Sequence, residues 1–298
     1  MRRYPVMGAG IYECGSSLRS FDNSAGWPSD AVDALESGAV LFLPSLAFEV
    51  APVEHPLLSP AIVAAAKNIS FDPHTGRLGG TTLNGTEAGR LGDLVSRFSR
   101  LAAGFVRRLL PAYGERLEIG RASFRPVEIA GRASSWRKDD TRLHIDSFPA
   151  TPVGGRRILR VFSNVNPLGQ PRTWRIGEDF ARVAERFAGQ LRMPLPGSAV
   201  ALRALRITKS RRSPYDALML QLHDRMKADT DYQAQVSQMR VEFPSGSTWV
   251  AFTDQVSHAA MSGQYQLEQT FMLPVNAMLD ERRSPLRILE RIVGRSLV

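Results

Sequence analysis

The chain has 298 residues, 43% of them hydrophobic, and a formal net charge of +9. That length and composition exclude disorder, collagen and coiled coil, and they allow a sizeable core without disulfides or structural metals. The one cysteine, Cys14, excludes an internal disulfide framework and any zinc site of several cysteines, and it fits a reducing compartment.

The basic residues are nearly all arginine; the lysines are Lys67, Lys138, Lys209 and Lys227. A guanidinium excess suits phosphate or carboxylate partners, and GC-rich coding bias explains it equally well. Met1-Arg2-Arg3 leads into Tyr4-Pro5 and not into an apolar run, which argues against a secretory signal. The longest apolar stretch, Ala39 to Phe48, is broken by Pro44 and falls short of the roughly 20 residues that span a bilayer. The expectation is a soluble, cytoplasmic protein, with peripheral contact to a membrane surface left open.

In chain order, residues 1–115 form a helix-rich supporting region. Ser29-Asp30 caps a short helix running to Gly38, and Val40 to Leu43 is a buried strand ended by Pro44. Leu94, Phe98, Leu101, Phe105 and Leu109 recur at helical spacing, predicting a helix from Leu94 to Leu109. Arg97, Arg100, Arg107 and Arg108 fall on its other face, either solvated or lipid-facing. Residues 116–275 change texture to strands at Leu117 to Ile129, Ile158 to Asn166, Met239 to Phe243, Thr248 to Phe252 and Gln264 to Leu273. Two helical inserts interrupt them, Glu178 to Gln190 and Pro214 to Ala228, the second with Ser213 as N-cap. Residues 276–298 read as a C-terminal tail. With no repeat or exposed linker, the reading is one domain, 1–298: a β-barrel core with helices packed outside.

Of five histidines, His144 and His258 carry chemistry. In an extended segment, residues two apart face the same side, so His144 and Asp146 are placed to meet one metal. His258 follows a Pro-Ser-Gly turn and a strand, and the interval between the histidines leaves room for several barrel strands. Two histidines and one carboxylate with open positions form the facial triad of non-haem Fe(II) oxygenases. Alone, His-x-Asp is a weak signal, because such tripeptides occur by chance. His223 reads as part of a polar helix face, and His55 and His74 as loop residues.

The stretch Ser135-Trp136-Arg137-Lys138-Asp139-Asp140-Thr141-Arg142-Leu143-His144-Ile145-Asp146-Ser147-Phe148-Pro149 continues through Arg157 to Trp174. A second stretch runs from Phe252 through His258 to Pro274. Together they resemble the Fe(II)/2-oxoglutarate-dependent dioxygenases, and more closely the Kdo hydroxylase family of Gram-negative bacteria. The resemblance covers most of the chain. It implies an α+β fold with a mainly β core, a double-stranded β-helix (jelly-roll, cupin-like) barrel with surrounding helices. It implies Fe(II), 2-oxoglutarate and O2 as cofactor and co-substrates. The implied reaction is hydroxylation at C3 of the outer Kdo sugar of Kdo2-lipid A, giving Ko, or of another anionic sugar-lipid at a membrane surface.

One departure from the superfamily pattern bears on the site. Many members place an arginine some ten residues after the distal histidine to hold the far carboxylate of 2-oxoglutarate; here Gln266 to Thr270 has no basic residue. The expectation moves to Arg160 as the bidentate clamp, with Arg157 second and Asn164 and Thr270 as further co-substrate contacts. Arg142, two residues before His144, is expected on the metal side. Arg125, Arg132, Arg137 and Lys138 form a basic run leading into the motif, a landing site for the sugar acid and lipid phosphates, with Trp136 walling the pocket. The alternatives are a hydroxylase of another small molecule or a protein side chain, and a non-enzymatic basic binding module. Nucleic acid is not expected, because no zinc finger, RNA-recognition signature or Lys/Arg tail accompanies the charge.

Overall fold

The structure, a computed structural model, describes residues 3–5, 10–15, 17–22, 26–64 and 68–298. Met1 and Arg2, part of the argument against a leader, lie outside them. The strands are β1 (Arg3–Pro5), β2 (Gly10–Glu13), β3 (Val40–Leu43), β4 (Ile69–Phe71), β5 (Leu78–Gly79) and β6 (Glu118–Arg125). They continue with β7 (Arg157–Asn164), β8 (Arg172–Ile176), β9 (Met239–Phe243), β10 (Thr248–Phe252), β11 (His258–Ser262) and β12 (Gln266–Leu273). A nine-stranded sheet has the order β1-β2-β3-β10-β7-β12-β6-β4-β5, and a three-stranded sheet has the order β11-β8-β9. His144 extends the small sheet through a bridge to His258. The central strands are antiparallel, as a barrel of jelly-roll type requires.

Strand β7 is buried on both faces. Leu159, Val161 and Val165 enter the outer core with Phe98 and Phe105 of α2 (Gly85–Leu109), while Phe162 points into the barrel. Alternation along an extended strand gives this parity. Inside the barrel, Phe243 stacks on Trp249 (4.1 Å, 8°), and Trp249 on Phe162 (5.3 Å, 17°), so a dry aromatic plug fills part of the interior. Trp249 is fully buried. Trp249→Ala is expected to cost about 3–5 kcal/mol, read as a lowered denaturant midpoint with an unchanged slope.

Helix α2 begins nine residues before the apolar periodicity does, because Gly85, Gly89 and Gly92 lie in open space and carry no hydrophobic signal. The remaining helices are α1 (Ala31–Glu36), α3 (Phe180–Phe187), α4 (Ser198–Ala204), α5 (Pro214–Ala228), α6 (Thr230–Gln235) and α7 (Pro285–Val293). In α5, Ser213 and Asp216 cap one another as read from sequence: Ser213 Oγ accepts from Asp216 N–H, and the Asp216 carboxylate accepts from Ser213 N–H. The C-terminal stretch read as a tail is instead helix α7, capped by Ser284 and burying Leu286 and Leu289. Strands β8 and β11 were not anticipated. β8 carries an arginine on its inward face, and β11 reads His-Ala-Ala-Met-Ser, with no β-branched or large aromatic residue to mark a strand. No helix among the described residues is long and apolar enough to cross a membrane.

Candidate metal centre

The barrel brings together the two histidines and the aspartate that the sequence singled out. His144 and His258 exchange backbone hydrogen bonds, N–H to O at 2.9 Å each way, and Asp146 N–H donates to Thr253 O at 2.8 Å. Three short segments are thereby fixed by main chain alone. Ligand atoms of His144, Asp146 and His258 lie within 4.8 Å of one another, with His144 Nε2 at 3.9 Å from Asp146 Oδ1. Each imidazole uses Nδ1 on a carbonyl two residues back, His144 on Arg142 O and His258 on Val256 O, both at 2.8 Å. That choice of tautomer leaves both Nε2 lone pairs turned to the common point, the usual arrangement around a metal-binding histidine. Nitrogen and oxygen donors with no thiolate, all on one side, suit a divalent iron that keeps open positions.

Burial, then the proximity of His258 and Lys227, pushes His144 well below its ordinary value of 6.5; burial likewise lowers His258. Burial alone would raise Asp146, but the Arg160 guanidinium and the two histidines hold it well below the usual carboxylate range. The histidines are therefore neutral and the carboxylate charged near neutral pH, as metal donors must be. In the metal-free protein the unfolded histidines bind protons at about 6.5 and the folded ones only at lower pH. Stability therefore rises with pH across that window and is lost as pH falls below 6.5. The melting temperature of metal-free protein is expected to drop on acidification below 6.5, and His258→Asn to flatten that slope.

Beside the donors lies a nest of arginines. Arg160 Nη2 is 3.3 Å from Asp146 Oδ2 and its Nη1 is 3.1 Å from Glu268 Oε1; Arg125 reaches Glu268 Oε2 at 2.9 Å. Buried Arg172, on the inward face of β8, donates to Gly263 O at 2.7 Å. Gly263 sits at φ 107°, and a Cβ there would lie 2.9 Å from Arg172 Cδ, so only glycine lets the strands close here. Arg125 Nε, Arg160 Nε, Arg172 Nε and the Trp174 indole N–H are all buried without an acceptor. Trp174 also stacks on His258 at 4.9 Å. Convergent buried donors beside a three-donor metal set fit a chelating dicarboxylate.

Several expectations are corrected. Arg157 faces the opposite side of β7 from Arg160, since the two are three positions apart, an odd offset along a strand. It is fully buried on Asp254 (2.7 Å) and Gln255 (2.6 Å) and lies over the Phe252 ring, away from the metal face. The Asn164 amide donates to Gln170 O and Phe243 O, tying down a turn. Arg125 belongs to the interior nest and not to the surface run. Arg142 does not turn to the metal: the turn at Asp140–Thr141 breaks the extended parity. Its guanidinium donates to Lys227 O (2.7 Å) and pairs with Asp139, beside Arg175 and Gln233 in a cavity of about 360 Å³. Thr270 lies opposite Arg160 in the strand register.

Arg137 and Lys138 are exposed and Trp136 is half-buried, Arg137 stacking on Trp136 at 4.2 Å. Arg137 pairs with Asp224, which hydrogen-bonds His223, and the His223 ring stands edge-on to His144 at 5.4 Å. His223 is therefore part of the site's wall and not of a solvated helix face. Neither His223 nor Arg172 carries a spacing signal in sequence. Glu268, the counter-ion of Arg160 and Arg125, likewise carries no spacing signal in sequence.

Residues 22–296 match the family model for 3-deoxy-D-manno-oct-2-ulosonic acid (Kdo) hydroxylase. Among solved structures, the chain is similar to the Kdo hydroxylase KdoO, a non-heme Fe(II) α-ketoglutarate-dependent dioxygenase. Its cobalt(II) complex is 47% identical over 97% of each chain, with a TM-score of 0.93. Its complex with α-ketoglutarate and Fe(III) is 46% identical over 97% of each chain, with a TM-score of 0.92. The succinate and Fe(III) complex gives the same identity, coverage and score. No curated protein sequence matches the chain.

Proposed function

The chain belongs to the Kdo hydroxylase family, and from that premise we propose that it hydroxylates C3 of the outer Kdo of Kdo2-lipid A, giving Ko. It is an Fe(II)- and 2-oxoglutarate-dependent dioxygenase. The observation that carries the assignment of roles is the meeting of His144, Asp146 and His258 with the buried arginine nest in one barrel. We assign the metal to those three side chains. The far carboxylate of 2-oxoglutarate is assigned to Arg160, with Arg125 and Arg172 beside it and Thr270 opposite.

Iron, 2-oxoglutarate and O2 together supply the oxidising power, through oxidative decarboxylation to succinate and CO2 coupled to C–H hydroxylation. The protein positions and shields. Asp146 and the two Nε2 atoms set the binding geometry, and the hydrogen bonds at Nδ1 keep both rings from turning. The guanidinium nest fixes the co-substrate's direction. Trp174 walls one side, and the aromatic plug keeps water out of the barrel. On the outer side, His223 faces the reacting region, and Arg137, Lys138 and Trp136 form a basic rim for the Kdo carboxylate. We place the reaction at the cytoplasmic face of the inner membrane, where 2-oxoglutarate is at hand.

Purified enzyme with Fe(II), 2-oxoglutarate and Kdo2-lipid A is expected to add one oxygen to the outer Kdo, read by mass spectrometry, with matching succinate. Turnover of 2-oxoglutarate with the sugar unchanged overturns the substrate assignment.

A further inference from the structure

Between α3 and α5, residues 191–213 contain no acidic side chain. They carry Arg192, Arg203, Arg206, Lys209, Arg211 and Arg212, six cations in a chain whose net charge is +9. Arg203, Arg206, Lys209 and Arg211 are exposed, and among the described residues no carboxylate lies within ion-pair distance of them. Three of the five α2 arginines differ in this respect: Arg97 is paired with Glu54, Arg107 with Glu115 and Arg108 with Asp22, while Arg90 and Arg100 are exposed without an ion pair among the described residues.

The same stretch exposes Leu195 (79%), Val200 (57%), Leu205 (71%) and Ile207 (53%), half of the exposed large hydrophobic side chains among the described residues. Arg206 adopts φ 55°, the left-handed region that favours glycine, in the turn that places Leu205 and Ile207 in solvent. The stretch is not a loose excursion. Thr208 is buried, Lys209 N–H donates to Ala150 O at 2.9 Å, and Arg212 Nη2 donates to Pro149 O at 2.6 Å. These anchors lie directly after Phe148, whose ring is 5.4 Å from the Arg160 guanidinium. The patch therefore borders the loop that leaves Asp146.

Unpaired cations account for attraction to any polyanion, but a nucleic acid gives no reason for four aliphatic side chains in water. A second copy of a chain at +9 is repelled by the same charge. A surface with phosphates above an apolar layer satisfies both halves, aliphatic groups entering the acyl boundary and cations meeting the headgroups. We propose that residues 191–213 are a docking surface for an anionic lipid bilayer, turning the mouth beside Asp146 toward the membrane. The proposal stands on charge and exposure and does not require the Kdo2-lipid A assignment.

The test is co-sedimentation of the full chain with vesicles of phosphatidylethanolamine and phosphatidylglycerol in equal parts, against vesicles of phosphatidylcholine. Wild type is expected to sediment with the first and not the second, and added salt to weaken binding. Arg203→Glu with Arg206→Glu is expected to reduce binding at least about tenfold. Leu205→Ser with Ile207→Ser is expected to reduce it too, and to make the remainder more salt-sensitive. These side chains are exposed, so melting temperature and 2-oxoglutarate turnover on a water-soluble Kdo glycoside stay at wild-type level, while turnover on vesicle-embedded substrate falls. Wild type left in the supernatant, equal binding to both vesicles, or variants that sediment like wild type would each overturn the proposal. A chain that docks as described but leaves Kdo unmodified overturns the substrate assignment alone.

Discussion

Asp146→Ala is expected to remove Fe(II) binding and to lower 2-oxoglutarate turnover by at least about a thousandfold, on the order of 4 kcal/mol of transition-state stabilisation. Asp146 supplies the single carboxylate of the donor set, and two neutral imidazoles at the mouth of a barrel do not hold a divalent iron against water. The backbone fixing the site is independent of this side chain: Asp146 N–H reaches Thr253 O, and the two histidines pair through main chain. The variant should therefore fold. Its cost is local, because Arg160 keeps Glu268 as a close anionic partner. Asp146→Asn, which keeps shape but not charge, separates the two effects. Anaerobic Fe(II) titration with near-ultraviolet circular dichroism as the fold check decides it; unchanged iron affinity in a folded variant would falsify the metal assignment.

Arg160→Ala is expected to raise the KM for 2-oxoglutarate by about 30-fold to several thousandfold, the range of about 2–5 kcal/mol for truncating one member of a buried charged pair. The guanidinium is 8% exposed at the residue level and pre-aimed by Glu268 and Asp146, so little ordering remains to be done on binding. Arg160→Lys keeps the charge but loses the fork, and a smaller rise of about tenfold is expected. Arg157 is the control. It differs from Arg160 by three positions and faces the other side of the sheet, bound to Asp254. Arg157→Ala leaves that carboxylate buried and unpaired, at a cost of about 3–5 kcal/mol. Its melting temperature should fall while the KM of the folded fraction stays put. A rise in KM for Arg157→Ala with none for Arg160→Ala would reverse the assignment of the two faces.

The sequence made the donor set legible because its signal is local. His144 and Asp146 share a side through strand parity, and His258 is introduced by a turn and a strand with recognisable chemistry. It also set the faces of β7, since alternation along one strand needs no knowledge of its neighbours. The proposed clamp is half legible: Arg160 is reached from its place on the strand after His-x-Asp, but Arg125 and Arg172 come from strands whose positions beside it depend on sheet order. Arg125 lies on β6, two strands from β7 with β12 between them, and Arg172 lies on the facing sheet. No spacing rule relates them. His223 meets His144 only because α5 packs across the mouth.

The failures share a physical cause. Arg142 leaves the metal side because a turn at Asp140–Thr141 breaks the extended parity, and Arg157 because an odd offset from Arg160 selects the other face of β7. Asn164 is not free to meet a ligand, because its amide satisfies backbone carbonyls at a turn. What the sequence determined by itself was the metal chemistry and the strands β3, β6, β7, β9, β10 and β12, all encoded in residue type at short range. Tertiary structure alone decided which of many arginines face the iron site, which are buried counter-ions behind the sheet, and which gather unpaired at one exposed edge. Charge has no periodicity of its own, so an arginine's role is set by the partners that distant strands bring to it.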